Sequence, residues 1–261
     1  MIKVRPTTVL MYHAVSAAGT NLLAADAHYA VSQRQLLDQL QLIRHKGLRP
    51  ASVRSLLLQR DSLVVALTFD DGHVSNASAA QALLDNGGTA DFFINTATVG
   101  TPGHLSWQAL REMADAGMSI QSHAHTHRYL DELDQADVDQ EMRTSKAILE
   151  DKLGHPVELF APPGGRMPRG LPQIASRMGY KALCSSRVGV WRDGTQRDIP
   201  RLAVLRTTPL TQFSKWMEQD RVELIQQRLR YATLTSSKRL LGNANYERVR
   251  RALLHFAPDG G

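Results

Sequence analysis

A chain of 261 residues, 43% of them hydrophobic, is long enough to bury a large core and too apolar to remain disordered. No apolar run approaches membrane-span length, and a single cysteine, Cys184, excludes an intrachain disulfide. The net charge of +6 is concentrated between Arg221 and Arg251, where eight arginines and lysines face only Glu223 and Glu247. The tail is basic and the body close to neutral.

Val9–Tyr12 predicts a short strand ending at His13, followed by a polar loop to Tyr29. The N-terminal stretch holds no apolar run of signal-peptide length, so a cytoplasmic protein is expected. Ser32 opens a helix, with Gln35 three residues on as in a capping box. Leu36, Leu37, Leu40 and Ile43 form its apolar face, and Gly47 stops it. Ser52 caps a shorter helix carrying Leu56, Leu57 and Leu58. Leu63–Phe69 then reads as a buried parallel strand that ends in Asp70, Asp71 and Gly72. One Asp before Gly is an ordinary turn or helix cap. Two carboxylates at the C-terminal end of a fully apolar strand sit where α/β folds mount their chemistry. Gly72 lets the chain turn so that both can face one cleft.

The pattern repeats. A small-residue helix over Asn76–Asp85 leads through Gly87-Gly88 to a strand over Asp91–Asn95. Ser106 caps a helix ending near Gly117, and a strand over Met118–Gln121 runs into Ser-His-Ala-His-Thr-His. A helix over Ala136–Leu153 precedes a strand over Val157–Phe160 and the turn Ala-Pro-Pro-Gly-Gly. A helix over Leu171–Met178 and strands over Lys181–Ser185 and Ile199–Leu205 complete the series. Alternating strands and helices pair in parallel through right-handed crossovers, and this many units predict a closed or nearly closed β/α barrel. With no linker before about residue 208, residues 1–208 are expected to form one catalytic domain and residues 209–261 a helical, basic extension. Phe213, Trp216 and Met217, at helical spacing, should pack on the body. Two further helices are expected, roughly over Val222–Thr233 and Ala244–His255. Their basic face is either solvated or in contact with an anionic surface such as a phospholipid leaflet, which would make the protein peripheral to the inner membrane. No nucleic-acid partner is expected.

His123 and His127 lie four apart, a spacing that puts two imidazoles on one face if the segment makes a helical turn. Together with a carboxylate pair after another strand, they supply the ligand types of a catalytic zinc site with positions left open. Ala124 stands where a metalloprotease helix would place its glutamate base, so that motif is excluded. His125 should point away from the other two.

Thr68-Phe69-Asp70-Asp71-Gly72, Ser122 with His123 to His127, and Phe160 to Gly165 resemble the first three motifs of the NodB-homology polysaccharide deacetylases, carbohydrate esterase family 4. The resemblance spans about residues 7 to 206 and implies a distorted (β/α) barrel. It further implies that Asp71, His123 and His127 bind a divalent metal, with zinc the expected ion, and that Asp70 is the general base. The substrate it implies is an N-acetylated saccharide. Two positions depart from the family pattern. Ala161 replaces the arginine that orients the base, and no late Leu-x-x-His motif supplies the general acid. Leu10 to Val15, LMYHAV, is similar to the start of a permuted subset acting on biofilm poly-N-acetylglucosamine, in exopolysaccharide biosynthesis. By that analogy His13 becomes the acid. Arg166 is a candidate for the missing guanidinium or else a surface residue, Pro163, Gly164 and Gly165 are candidates for the oxyanion site, and Trp191 is either a wall of the sugar site or a large buried aromatic. A catalytically inactive glycan-binding module, and a deformylase or deacetylase of a lipid-linked sugar at the cytoplasmic membrane face, are the alternatives.

Overall fold

The computed structural model describes residues 6–16, 28–59, 61–192 and 197–232. Its strands are β1 (Val9–Tyr12), β2 (Val15–Ser16), β3 (Val31–Ser32), β4 (Arg49–Ala51), β5 (Val64–Phe69), β6 (Asp91–Ile94), β7 (Ser119–Ser122), β8 (Leu159–Phe160), β9 (Ala182–Cys184), β10 (Asp198–Ile199) and β11 (Leu202–Ala203). The α-helices between them are α1 (Gln33–His45), α2 (Val53–Leu58), α3 (Asn76–Asp85), α4 (Trp107–Asp115), α5 (Gln135–Leu153), α6 (Leu171–Arg177) and α7 (Leu210–Met217). Ser32, Ser52 and Ser106 each accept a hydrogen bond from the backbone N–H three residues on, so all three expected caps form. Gln35 does not close the capping box: its amide donates to Leu205 O and Thr208 O and ties α1 to the last strand region.

The main sheet runs β10-β9-β8-β7-β6-β5-β1-β11, and every described ladder in it is parallel. The short β4 shares an edge of β5 with β6, β4 taking the N-terminal half and β6 the C-terminal end. Side chains alternate across β5. Val64 and Ala66 turn to the inner cluster with Val9 and Phe93, while Val65, Leu67 and Phe69 turn to the outer helices.

The sheet is curled into a half-barrel, and its two outermost strands are consecutive in sequence. Only Pro200 and Arg201 separate β10 from β11. Three Cα steps span at most about 11 Å, so the edges must curl to within that distance of each other. The expected single strand over Ile199–Leu205 is therefore two strands, split where the chain crosses the open seam. The pairs β2–β3 and β4–β5 were not foreseen: two or three residues, one of them Pro50, are too few to show a period.

Val53 and Leu56 of α2 join the inner cluster and plug the end of the barrel where the strands begin. Fully buried Trp191 belongs to the same cluster, and its backbone pairs with Thr7 just before β1. It fills the floor of the barrel, so Trp191 is the large buried aromatic of the two readings and not a wall of the sugar site. In α7, Phe213, Trp216 and Met217 are buried as expected, and Thr8 Oγ1 donates to Trp216 O at 2.9 Å. Residues 221–232 are helical; the expected helix over Ala244–His255 lies outside the described residues. No described helix is long and apolar enough to cross a membrane.

Candidate active site

The C-terminal ends of the strands carry the polar groups that the apolar runs do not need. Asp70, 3% exposed at the end of β5, is gripped bidentately by Arg201: Nη1 lies 2.7 Å from Oδ1 and Nη2 2.8 Å from Oδ2. The guanidinium also donates to Thr68 Oγ1 (3.1 Å) and Ser185 O (3.1 Å), which gives both partners hydrogen bonds in a buried setting. Burial pushes the Asp70 carboxyl up, but the charges of Arg201 and then His123 outweigh it and hold it below its ordinary value. From the sequence, Arg166 was a candidate for this task, with a surface position the equal alternative. Arg166 instead pairs with Asp131 (3.2 Å) and stacks over the Tyr129 ring at 4.0 Å. The signal for Arg201 was present: a charge behind a proline, between two apolar dipeptides, has to find a buried partner.

Asp71 turns the other way. It adopts φ +71°, Ala124 +66° and His127 +61°. Left-handed conformations at non-glycine residues cost on the order of 1–3 kcal/mol each and gather where function demands them. Two of these three are expected ligands. They bring Asp71 Oδ1 to 3.2 Å from His123 Nε2 and 3.1 Å from His127 Nε2. The imidazole rings sit 5.1 Å apart and tilted by 57°. The convergence is as expected, but its means differ: the segment is an irregular loop, and its left-handed residues do what a helical turn was expected to do. His125 points away, with Nδ1 2.8 Å from Thr96 Oγ1, as expected.

The donor set fits a divalent cation. His123 Nδ1 lies 2.7 Å from the Ala161 carbonyl, which only accepts, so Nδ1 carries a proton and the ring, when neutral, turns its Nε2 lone pair toward the carboxylate. Lone pair facing lone pair is unfavourable unless a positive charge stands between them. Asp71 Oδ1 accordingly has no partner that satisfies hydrogen-bond geometry among the described residues. Ligands at about 2.0–2.2 Å around a tetrahedral zinc lie about 3.3 Å apart, close to the spacing seen here. Without the ion, burial lowers the basicity of His123, but Asp71 and Asp70 outweigh it and raise its pKa. Burial likewise pushes Asp71 up, and the two imidazoles beside it bring it well below the carboxylate range.

His13, at the end of β1, faces the same point, with Nε2 4.0 Å from Asp71 Oδ2 and its ring packed on Tyr29 at 4.6 Å with a tilt of 40°. His13, Tyr29, Asp71, Asn95 and His127 line a cleft of about 270 Å³. Pro163, Gly164 and Gly165 form a turn just after Ala161. A Cβ on Gly164 would lie 2.7 Å from the Tyr129 ring, and one on Gly165 2.4 Å from Ser186 Oγ, so each glycine admits a neighbouring side chain. Both also have positive φ, 61° and 68°. Gly164→Ala is expected to cost about 1–3 kcal/mol in denaturant unfolding, and an unchanged midpoint would show that Tyr129 yields freely.

Comparison with known proteins agrees with this geometry. Residues 59–183 match the profile of the polysaccharide deacetylase family. YxkH of Bacillus subtilis (strain 168), a protein named after the same family, is 29% identical over 186 residues, covering 69% of this chain. The chain spans about 64% of the length of that curated relative. The Streptococcus pyogenes deacetylase PplD, solved with acetate, superposes with TM-score 0.72 at 25% identity over 82% of this chain and 97% of that one. IcaB of Ammonifex degensii shares the fold with TM-score 0.71 at 24% identity, over 82% of this chain and 97% of its own. His13 and Arg201 fall outside the family match; Asp70, Asp71, His123 and His127 fall inside it. Over residues 59–183 this chain is similar to the polysaccharide deacetylases, and it shares their fold.

Proposed function

We propose that the protein is a metal-dependent hydrolase that removes N-acetyl groups from an amino-sugar glycan or glycan precursor, with zinc the expected ion. One observation carries the reading. Three ligand groups converge on one point while the neighbouring carboxylate, Asp70, is held apart from them by Arg201.

Asp71, His123 and His127 would hold the cation. When bound, it supplies Lewis acidity, polarising the acetyl carbonyl and lowering the pKa of coordinated water to about 7. Asp70 is the proton acceptor. Arg201 keeps it ionised at neutral pH and fixes its plane, so it is ready to take a proton from the attacking water. His13 faces Asp71 from the other side of the cleft and would return a proton to the departing amine, giving acetate and a free amino sugar. Backbone N–H groups of the turn at Gly164 and Gly165 are the proposed donors to the developing oxyanion.

The two departures that suggested an inactive glycan-binding module lose their force. The guanidinium absent at Ala161 is supplied by Arg201, and the missing late histidine has a counterpart in His13. That counterpart supports placing the chain with the permuted poly-N-acetylglucosamine deacetylases. Contact of the basic tail with an anionic leaflet, and a cytoplasmic location, remain part of the proposal.

The test is acetate release from a panel of N-acetylated saccharides by protein of known metal content. His13→Ala is expected to lower kcat about 10²-fold and leave metal content unchanged, since general acid catalysis contributes 10²–10⁴. Full activity in that variant would remove His13 from the mechanism.

A further inference from the structure

We infer that Glu141 and Asn95 are positioning residues that clamp the His123–His127 loop and thereby set the affinity and geometry of the cation site. The inference rests on the reading of Asp71, His123 and His127 as ligands.

The buried stripe of α5 runs through Val138, Glu141, Met142, Ser145 and Leu149, so Glu141 occupies a core position where a carboxylate needs a purpose. It is 6% exposed. Its Oε2 accepts from the backbone N–H of His125 (2.9 Å) and of Thr126 (2.8 Å), and its Oε1 accepts from the Thr126 hydroxyl. One turn further along α5, Ser145 Oγ meets Ser122 Oγ at 2.8 Å, just before His123. From the opposite side comes Asn95, 2% exposed at the end of β6. In the amide orientation that satisfies both neighbours, its nitrogen donates to His125 O (2.6 Å) and its oxygen accepts from His127 N (2.8 Å). The loop is thus held from two independent elements. Its backbone at Ala124 and His127 stays left-handed although neither residue is glycine, which requires such over-determination. Freed from the clamp, the loop would relax to ordinary φ values and carry His127 Nε2 away from His123 and Asp71.

Cobalt(II) is the probe. Its dissociation constant is read by competition with a chelator, its coordination by the visible spectrum, and folding by the melting point of metal-free protein. Glu141→Ala is expected to weaken cobalt binding about 10- to 100-fold and to change the spectrum, the range seen when groups that orient ligands are removed. Glu141→Gln keeps an oxygen for both N–H groups and an amide for the Thr126 hydroxyl, so it should restore affinity to within about threefold with the wild-type spectrum. If Glu141→Ala does not fold, Asn95→Ala carries the test and should weaken binding at least tenfold. Wild-type affinity and spectrum in the folded variants, with only the melting point lowered, would overturn the clamp. Failure of the wild-type protein to bind cobalt at one equivalent, with Asp71→Ala indistinguishable from it, would instead remove the ligand assignment and the clamp with it.

Discussion

Asp71→Ala is expected to lose bound metal and about 10³-fold or more in acetate release together. Lewis-acid stabilisation supplies several kcal/mol in such sites, and each 1.36 kcal/mol is a factor of ten. The effect should exceed that of removing an ordinary polar group because Asp71 is the only carboxylate in the described ligand cluster. The adjacent position is the control. Asp70→Asn should keep its metal, since Arg201 and not the cation is its partner, yet lose about 10²–10⁴-fold in kcat as the proton acceptor disappears. Adjacent carboxylates with opposite signatures in metal content are what the geometry demands. Metal lost from both variants would mean that Asp70 also ligates.

The second large effect belongs to Arg201. Arg201→Ala leaves the Asp70 carboxylate buried and unpaired, a change that typically costs 3–5 kcal/mol. Without the guanidinium, Asp70 should titrate upward, so the acid limb of the pH–rate profile moves toward neutrality. The sign also fixes the pH dependence of stability. The folded pKa of Asp70 is depressed, so the stability it contributes is fully present above about pH 4, the ordinary aspartate value, and is lost as pH falls through the lower folded value. Arg201→Ala should therefore lose most of its stability relative to wild type at neutral pH, with the gap closing in acid. Arg166→Ala, which removes a surface pair and a stack on Tyr129, should cost about 1 kcal/mol or less and leave the rate within about threefold. Equal losses in the two variants, read by denaturant unfolding and the pH profile, would contradict this division of roles.

What the sequence disclosed and withheld follows from the range of each signal. β5 was legible because six consecutive buried residues followed by two aspartates break the polarity rules within ten positions. The three helix caps were legible because capping acts over three residues. The burial of Arg201 had a local signal but its pairing with Asp70 did not, because the partner lies 131 residues away and the two meet only after the sheet has curled until β10 and β11 nearly touch. The split of Ile199–Leu205 is the same omission seen in the backbone. The convergence of His123 and His127 was read correctly by spacing but explained by the wrong local structure. Positive φ at Ala124 and His127 has no residue-type signature, since it is imposed by Glu141 and Asn95 from outside the loop. Trp191 stayed open between two readings because size and aromaticity serve a barrel floor as well as a sugar platform.

Anomalous diffraction from crystals of the zinc- or cobalt-loaded protein tests the central claim most directly. The account predicts one strong peak bonded to Asp71, His123 Nε2 and His127 Nε2, with Asp70 outside the coordination sphere and still paired to Arg201. A peak elsewhere, or one that draws Asp70 off Arg201 into the ligand set, would contradict it.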